Sequence, residues 1–188
     1  MKTDLVKSIR LTLVLIVLLC VVYPVLITFA GKMSKGKGDG ETITVNGKVV
    51  GYANVGQNFT KPEYFWGRPS AVGYNAAGSA GSNKGPTNPD YLKDVNNRID
   101  TLLKYHPYLK RSDIPAEMVT ASGSGLDPDI SPEAARIQIK RVASNRGLSV
   151  QKVTDLVSQH TETPLLGMFG PAVVNVLKLN VALDALKK

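Results

Sequence analysis

Ser149 and Lys152 have the spacing of a nucleophile and its base. In the S-x-x-K pattern, a lysine amine takes the proton of a serine hydroxyl that then attacks an acyl carbon. The S-D-N and K-T-G segments that accompany this pattern in serine hydrolases are missing here. We therefore interpret Ser149 as the N-cap of a helix and Lys152 as a surface residue. A membrane-tethered hydrolase of the Ser-Lys type is kept as the alternative function.

The other polar residues that could support chemistry have structural interpretations. His106 lies at a predicted helix end before Pro107, where an imidazole can bond the last carbonyls. Asp127 and Asp129 supply two carboxylates, fewer than a calcium ion requires, and aspartate is typical of turns. One cysteine, Cys20, and two histidines are too few for a structural zinc site. The sequence therefore predicts no bound metal and no cofactor of its own.

The distribution of charge argues against a nucleic-acid partner. The chain of 188 residues has a formal net charge of +8. Residues 1–38 hold six Lys or Arg and one Asp, a net charge of +5, which leaves +3 for residues 39–188. A nucleic-acid groove needs its basic residues on the folded domain. Here most of the basic excess flanks an apolar segment near the N-terminus.

Residues 11–30 are predicted to form a transmembrane helix. This stretch, LTLVLIVLLCVVYPVLITFA, contains 20 residues and no charge, and such a helix spans about 30 Å, the hydrocarbon thickness of a bilayer. Thr28 and Ala30 resemble a signal-peptidase site, but the apolar run is longer than a usual signal core. A retained anchor is therefore favoured. Pro24 is expected to kink the helix and to free a carbonyl for a neighbouring helix.

The remaining chain divides into three regions around this helix. Residues 1–10 are too short to hold a domain and are expected to form a cytoplasmic tail. Lys and Arg are balanced on the two sides of the helix, so charge alone gives no orientation. Residues 31–40 are predicted to be a flexible spacer. Residues 41–188 are predicted to be an extracytoplasmic α+β domain, which makes the chain a single-pass membrane protein.

Turn and cap signals in residues 41–188 predict short strands and amphipathic helices. Asn46-Gly47 lies between two β-rich runs and predicts a hairpin. Three helices are predicted: over 89–106 behind the N-cap Asn88, over 131–145 before a stop at Gly147, and over 149–160. Leu92 and Val150 are expected on the buried faces of the first and third helices. Residues 173–188 mix a β-branched run with a helical one and are expected to end in a helix.

The loop 67–89 follows three aromatic residues, Tyr64, Phe65 and Trp66. Fourteen of its 23 residues are Gly, Pro, Ser or Asn, and none is acidic. Its GSAGSNKG stretch (78–85) has the glycine density of a phosphate-binding loop but lacks the preceding strand and the terminal Lys-Ser/Thr. Loops of this length inside a domain are functional or disordered, and prolines favour one path. We therefore predict an ordered loop, packed beneath the aromatic residues, that contacts a partner.

Five segments of the sequence, spread over essentially the whole chain, match a known pattern. They are GQNFT (56–60), YFWGRPSA (64–71), SNKGPTNP (82–89), VTASGSGLDPDISPEAA (119–135) and VVNVLKLNVALD (173–184). Together they resemble the C-subunit family of the bacterial Kdp potassium-transporting ATPases, which also has one N-terminal membrane helix. Two positions depart from the family pattern: Asp129 replaces a histidine, and an Ala-Ser-Gly-Gly-Ser-Asn stretch reads GSAGSN (78–83).

The resemblance implies a non-catalytic accessory subunit of a complex in the bacterial plasma (inner) membrane. In that complex a channel-like subunit translocates potassium, a P-type ATPase subunit hydrolyses ATP, and a small single-helix subunit assists. The C subunit associates with the channel-like subunit, stabilises the assembly, and is described as a catalytic chaperone that raises the ATP affinity of the hydrolysing subunit. Its LSVEQ-like segment has been linked to nucleotide. Here it reads LSVQK (148–152), with the glutamine shifted, so the resemblance implies Ser149 and Gln151 for that role.

Two sets of residues are expected to contact partners. The first lies in and beside the loop 67–89, near the outer mouth of the channel-like subunit: Trp66, Arg68, Tyr74, Ser82, Asn83, Asn88 and Asp127. The second lies on the membrane helix, towards partner helices and the lipid bilayer: Leu11, Val14, Cys20, Pro24 and Ala30. A membrane-bound solute-binding module is a third alternative, for which the sequence indicates no ligand.

Overall fold

The computed structural model describes residues 2–186 and divides into two compact units between Thr42 and Ile43. The first unit is a long apolar helix followed by successive turns over residues 32–40. The second unit combines two small antiparallel sheets with five helices of the described chain. The predicted fold class, an apolar N-terminal helix followed by a mixed α and β domain, is confirmed.

The first unit contains one continuous helix, Lys2–Gly31, that is long and apolar enough to cross a membrane. It consists of α1 (Lys2–Val17), a π-helical turn (Leu18–Val22) and α2 (Tyr23–Gly31). Residues 2–10, predicted as a tail, are therefore helical as well. Their helix-forming residues and the acidic Asp4 in the first turn favour this extension.

Pro24 explains the wide turn in the middle of this helix. Proline has no N–H to donate, so a regular ladder of helical bonds cannot continue through it. The helix widens one turn earlier, where the Tyr23 N–H donates to the Leu18 carbonyl, and Thr28 Oγ1 donates to the Pro24 carbonyl at 2.8 Å. The proline is thus accommodated by a π-helical turn, one of the known ways in which helices absorb such a residue.

The second unit opens with the predicted hairpin. Strands β1 (Thr42–Val45) and β2 (Lys48–Tyr52) pair in a two-stranded sheet. The two turn residues between them have positive φ angles, 50° at Asn46 and 76° at Gly47. This backbone is the one that an Asn-Gly hairpin turn requires, so the hairpin prediction is confirmed.

Five helices and a three-stranded sheet complete this unit. The helices are α3 (Pro89–Tyr105), α4 (Pro132–Arg136), α5 (Ile139–Arg146), α6 (Val150–Gln159) and α7 (Val176–Ala185). The sheet has β5 (Val173–Asn175) between β3 (Asp129–Ile130) and β4 (Thr161–Glu162), with both pairs antiparallel. Val174 of the central strand faces Ile130 on one side and Thr161 on the other. The helix predicted for the tail is present as α7, and the β-branched run before it forms β5.

The structure corrects three details of the predicted helices. The helix expected over 131–145 is interrupted, because the Gln138 side chain occupies the Ala134 carbonyl at 3.1 Å while its backbone N–H donates to Ala135. Leu92 and Val150 are 45% and 49% exposed rather than buried. Both lie at the N-terminal ends of helices whose buried residues begin further along.

A central irregular segment, residues 62–66, is held by polar side chains from α5, from α7 and from the turn between α4 and α5. Asn180 of α7 accepts from the Phe65 N–H at 2.9 Å and donates to its carbonyl at 3.0 Å. Gln138 accepts from the Trp66 N–H at 2.8 Å and donates to its carbonyl at 3.1 Å. Each amide side chain therefore replaces a neighbouring strand for one residue of the segment.

Arg141 of α5 bonds the same segment and stacks on the Trp66 ring. Its guanidinium donates to the carbonyls of Pro62 and Tyr64 and lies 4.1 Å from the centre of the Trp66 ring. Burial lowers the pKa of Arg141 to about 10, so the group stays cationic at neutral pH. We call Gln138, Arg141 and Asn180 the polar clasp, because together they hold residues 62–66.

His106 completes this network in its neutral form. Its Nδ1 lies 2.8 Å from the Leu102 carbonyl and its Nε2 accepts from Arg141 Nε at 2.9 Å. Nδ1 therefore carries the proton and bonds a carbonyl near the end of α3, as predicted. The ring is fully buried. Burial, opposed by the Leu102 bond and reinforced by the Arg141 cation, lowers the pKa of His106 to about 4.

We expect the His106→Gln variant to lose less stability at acidic pH than the wild type does. The unfolded chain binds a proton at His106 near the ordinary pKa of about 6.5, whereas the folded chain does so only near pH 4. Above pH 6.5 His106 is neutral in both states, and the free energy of unfolding is at its full value. As the pH falls from 6.5 towards 4, only the unfolded chain takes up the proton, and the free energy of unfolding falls by about 3 kcal/mol. We expect the melting temperature of the full chain in detergent to fall less steeply over this range in the variant.

The other histidine provides the matched control for this experiment. His160 is half-buried and bonds the Leu156 carbonyl at 3.0 Å, away from Arg141. His160→Gln removes the same kind of side chain from a less buried site and so shows how much of any change comes from losing a histidine as such. Identical slopes in His106→Gln and in the wild type would contradict the assignment of acid sensitivity to His106.

Candidate functional site: a two-loop platform beside an aromatic cleft

The first half of the loop 67–89 is joined by hydrogen bonds to the turn 122–127. Ser70 Oγ donates to the Gly125 carbonyl at 2.7 Å, and the Ser122 N–H donates to the Pro69 carbonyl at 3.0 Å. Further along, Ser79 Oγ donates to the Ser124 carbonyl at 2.7 Å. We call these two segments the two-loop platform. The sequence predicted contacts of the loop with the aromatic residues before it but did not indicate this turn.

Arg68 and Asp127 link the two segments of the platform by charge. Arg68 Nη1 lies 2.9 Å from Asp127 Oδ2, and both side chains are about three-quarters buried. The other Asp127 oxygen accepts from the Asp129 N–H at 3.1 Å, which confirms Asp127 as a turn-forming residue. Tyr74 donates its hydroxyl to the Arg68 carbonyl. Burial, reinforced by the Asp127 carboxylate, raises the pKa of Tyr74 above its ordinary value.

A cleft of about 430 Å³ opens beside the platform. Its walls come from the platform, the central segment and α3, and its principal side chains are Phe59, Trp66, Arg68, Tyr74, Arg98 and Tyr105. The Trp66 and Tyr105 rings meet edge to face with their centres 5.1 Å apart. Aromatic rings beside guanidinium groups suit the binding of a polar or anionic group from a partner.

The remaining loop residues predicted to form an interface lie away from this cleft. Ser82 and Asn83 are exposed on the surface, and Lys84 connects this part of the loop to α3 through an ion pair of 3.6 Å with Asp94. Asn88 acts as the N-cap of α3, accepting from the Tyr91 N–H at 3.1 Å. The structure thus brings Trp66, Arg68 and Tyr74 together and keeps the second half of the loop separate.

The residues implied for nucleotide binding form an ordinary helix start. Ser149 Oγ accepts from the Lys152 backbone N–H at 3.2 Å and so caps α6, as predicted. Gln151 donates its amide to Asp155 at 2.7 Å, one turn further on. The side chains of Ser149, Gln151, Lys152 and Asp155 are all exposed. The geometry is that of a capped amphipathic helix.

The residues predicted to contact partner helices all lie exposed on the apolar helix. Leu11 and Val14 are 60% and 56% exposed, and Cys20, Pro24 and Ala30 are exposed as well. Cys20 falls in the π-helical turn, and Pro24 is the second residue after it. Apolar side chains are therefore presented to the surroundings along the full length of this helix.

Comparison with known proteins identifies the family. A family described as "K+-transporting ATPase, c chain" matches residues 5–185. The chain belongs to the KdpC family. The potassium-transporting ATPase KdpC subunit of Bacteroides fragilis is 60% identical over 190 residues, covering 100% of this chain and 99% of its own length. The KdpC subunit of Flavobacterium johnsoniae is 59% identical over 184 residues (98% and 99%).

A more distant relative gives the same identity. The KdpC subunit of Caldanaerobacter subterraneus is 46% identical over 190 residues, covering 100% of this chain and 98% of its own. The chain is therefore a subunit of the Kdp potassium-transporting ATPase complex and works with other Kdp subunits. Its apolar helix, Lys2–Gly31, is consistent with a single-pass membrane anchor.

Sequence reasoning missed two features of this KdpC-family domain. The first is the polar clasp, whose side chains read as ordinary polar positions of two helices. The second is an exposed apolar turn, residues 165–169, for which the run LLGMF without a charge was an available signal. Both features depend on the presence or absence of tertiary contacts between residues that are distant in sequence, which a local sequence pattern does not reveal.

Gly125→Ala should loosen the two-loop platform. Gly125 has φ +69°, and an added Cβ would lie 2.6 Å from Val72 Cγ2 and 2.8 Å from the Ala80 carbonyl oxygen. Backbone strain and overlap should together destabilise the packed loop by about 1–3 kcal/mol. We expect faster amide hydrogen exchange over residues 67–81 and 122–127 in the intact complex.

Gly78→Ala is the matched control within the same loop. Its added Cβ would meet nothing within 4 Å, so exchange in the platform should stay at the wild-type rate. Fast exchange of residues 67–81 in the wild type, equal to that of a free peptide, would contradict an ordered platform.

Proposed function

We propose that this chain is a non-catalytic accessory subunit that assembles and stabilises the Kdp complex beside its channel-like subunit. In this proposal residues 1–10 lie in the cytoplasm, residues 11–30 cross the plasma (inner) membrane, and residues 31–40 connect to an extracytoplasmic domain over 41–188. Potassium passes through the channel-like subunit. ATP is hydrolysed by the P-type ATPase subunit, and a small single-helix subunit completes the assembly.

The observation that carries this proposal is the use of the domain's reactive side chains as structural groups. His106 and Arg141 hold one another and residues 62–66 inside the domain. Ser149, the predicted candidate nucleophile, accepts the backbone N–H of Lys152 as a helix cap. A Ser-Lys hydrolase would instead need the Lys152 amine at the Ser149 hydroxyl, so the geometry favours the accessory role over this alternative.

The anchor helix is the second element that supports assembly. Its apolar side chains are exposed along both faces, and a single helix cannot enclose a transport pathway. We infer that Leu11, Val14, Cys20, Pro24 and Ala30, which lie on more than one side of the helix, contact helices of partner subunits, and that the apolar side chains between these contacts face the bilayer. The π-helical turn before Pro24 gives this helix an irregular section, which supports a specific contact with a partner rather than contact with lipid alone.

An effect on the ATP affinity of the complex would then travel through subunit contacts. An extracytoplasmic domain does not meet cytoplasmic ATP, and residues 31–40 are too few to return it across the membrane. Ser149 and Gln151 are engaged in a cap and in a bond to Asp155. We therefore assign the chaperone role that the resemblance implies to the membrane helix and the domain surface rather than to these residues.

Lys152→Ala tests the accessory role against the hydrolase alternative. The Lys152 side chain is exposed, so its removal should change stability by no more than about 0.5 kcal/mol. In the purified complex we expect wild-type turnover and a wild-type KM for ATP in potassium-stimulated hydrolysis. A preparation that lacks this chain should lose assembled, potassium-stimulated activity.

Two results would contradict the proposal. One is a complex that assembles and hydrolyses ATP normally without this chain. The other is the loss of a measurable hydrolytic activity of the chain in Lys152→Ala, which would support the hydrolase alternative. Gln151→Ala serves as the matched control, since it removes a neighbouring exposed side chain and leaves the lysine in place.

A further inference from the structure

An apolar turn projects from the three-stranded sheet with its large side chains in solvent. Leu165, Leu166, Met168 and Phe169 are 71%, 78%, 73% and 60% exposed. They lie between β4 and β5, so the turn extends from the central strand of the sheet. A contiguous apolar patch of this kind on a folded domain marks an interaction site rather than ordinary surface.

The backbone of this turn has a defined shape. The Leu165 N–H donates to the Phe169 carbonyl at 3.1 Å, and the Phe169 N–H returns a bond to Leu165 at 3.0 Å. Within the turn the Gly167 N–H donates to Pro164 at 2.9 Å. Leu166 has φ +54°, a conformation that is unfavourable for a leucine. The chain thus maintains local strain and exposes four apolar side chains at the same place.

The composition around the turn distinguishes a protein pocket from a lipid surface. Segments that insert into the bilayer interface carry Trp or Tyr at the headgroup level and Lys or Arg beside them. Residues 161–177 contain none of these four residue types, and the adjacent Lys178 is paired with Glu162. Phe and Met are instead enriched in the buried centres of protein interfaces. At the base of the turn, Glu162 and Lys178 form an ion pair of 3.3 Å, which suits a polar rim.

The tether limits where a partner can be. Residues 32–41 connect the membrane-crossing helix to β1 without a helix or strand of their own. Ten residues span at most about 35 Å when fully extended. The domain therefore stays close to the membrane surface, where the other subunits of the complex present their outer faces.

We propose that the apolar turn, Leu165–Phe169, is a preformed knob that docks into an apolar pocket on the outer face of another Kdp subunit. The pocket is uncharged at its floor, because the knob offers no side-chain hydrogen bond, and polar at its rim opposite Glu162 and Lys178. A turn that is already shaped loses little conformational freedom on binding. This inference rests on the proposed position of the domain beside the channel-like subunit.

Site-specific photocross-linking in native membranes tests the knob. A benzophenone amino acid replaces Phe169 in the full complex, and a matched probe replaces Val49, which is also 60% exposed but lies in the β1–β2 hairpin. The Phe169 probe should form an adduct with another Kdp subunit, and Leu166→Asp should reduce that adduct by about tenfold or more. The Val49 probe reports the level of cross-linking that exposure alone produces. Adducts with lipid alone, no adduct at all, an adduct insensitive to Leu166→Asp, or one no stronger than that at Val49 would overturn the proposal.

Co-purification separates failure of the knob from failure of the proposed function. Leu166→Asp with Met168→Asp should retain at least tenfold less of the other subunits, while Leu166→Met should retain the wild-type amount. The melting temperature of the full chain alone in detergent should be unchanged, because the substituted side chains are exposed. If the wild type binds the other subunits and the double variant binds them equally, only the knob is refuted. If the wild type itself binds none, the proposed function fails first.

Discussion

The irregular segment 62–66 buries Phe65 in the core of the domain without a neighbouring strand, and the rest of the fold depends on satisfying its peptide groups. A buried amide or carbonyl without a partner costs about 1–3 kcal/mol. Asn180 and Gln138 each supply one donor and one acceptor to a single residue of the segment. Arg141 adds two further bonds. The polar clasp therefore joins α5, α7 and the turn between α4 and α5 to this one segment.

The clasp also determines which parts of the domain remain available for function. Arg141 fixes the neutral tautomer of His106, so these two groups are committed to the interior. Arg141 also stacks on Trp66, which lines the cleft. The surfaces that remain are the two-loop platform with its cleft, the apolar turn 165–169 and the apolar helix. Each is suited to contact with another protein. Among the described residues, His106, Arg141 and Ser149 thus serve as structural groups, which supports the accessory role proposed above for this Kdp subunit.

Local signals predicted the elements whose cause is local. Asn46-Gly47 formed the expected hairpin, Asn88 capped α3, and Gly147 ended α5 with φ +65°. The interruption at Gln138 could not be predicted, because it arises when the side chain bonds a segment 72 residues away. For the same reason the partner of the loop 67–89 was not foreseen. Family resemblance predicted membership of the complex, whereas the site residues themselves stay predictions.

The most direct test of this account is the effect of Asn180→Ala on the stability and the turnover of the complex, measured on the same preparation. Removal of the amide strands both polar groups of Phe65, and we predict a loss of about 2–4 kcal/mol in the stability of the domain. The KM for ATP of whatever complex still assembles should be unchanged. Asn97→Ala, which alters an exposed asparagine of α3, should affect neither quantity. An unchanged melting temperature together with lost turnover would contradict the structural role of the clasp and would place Asn180 in the chemistry instead.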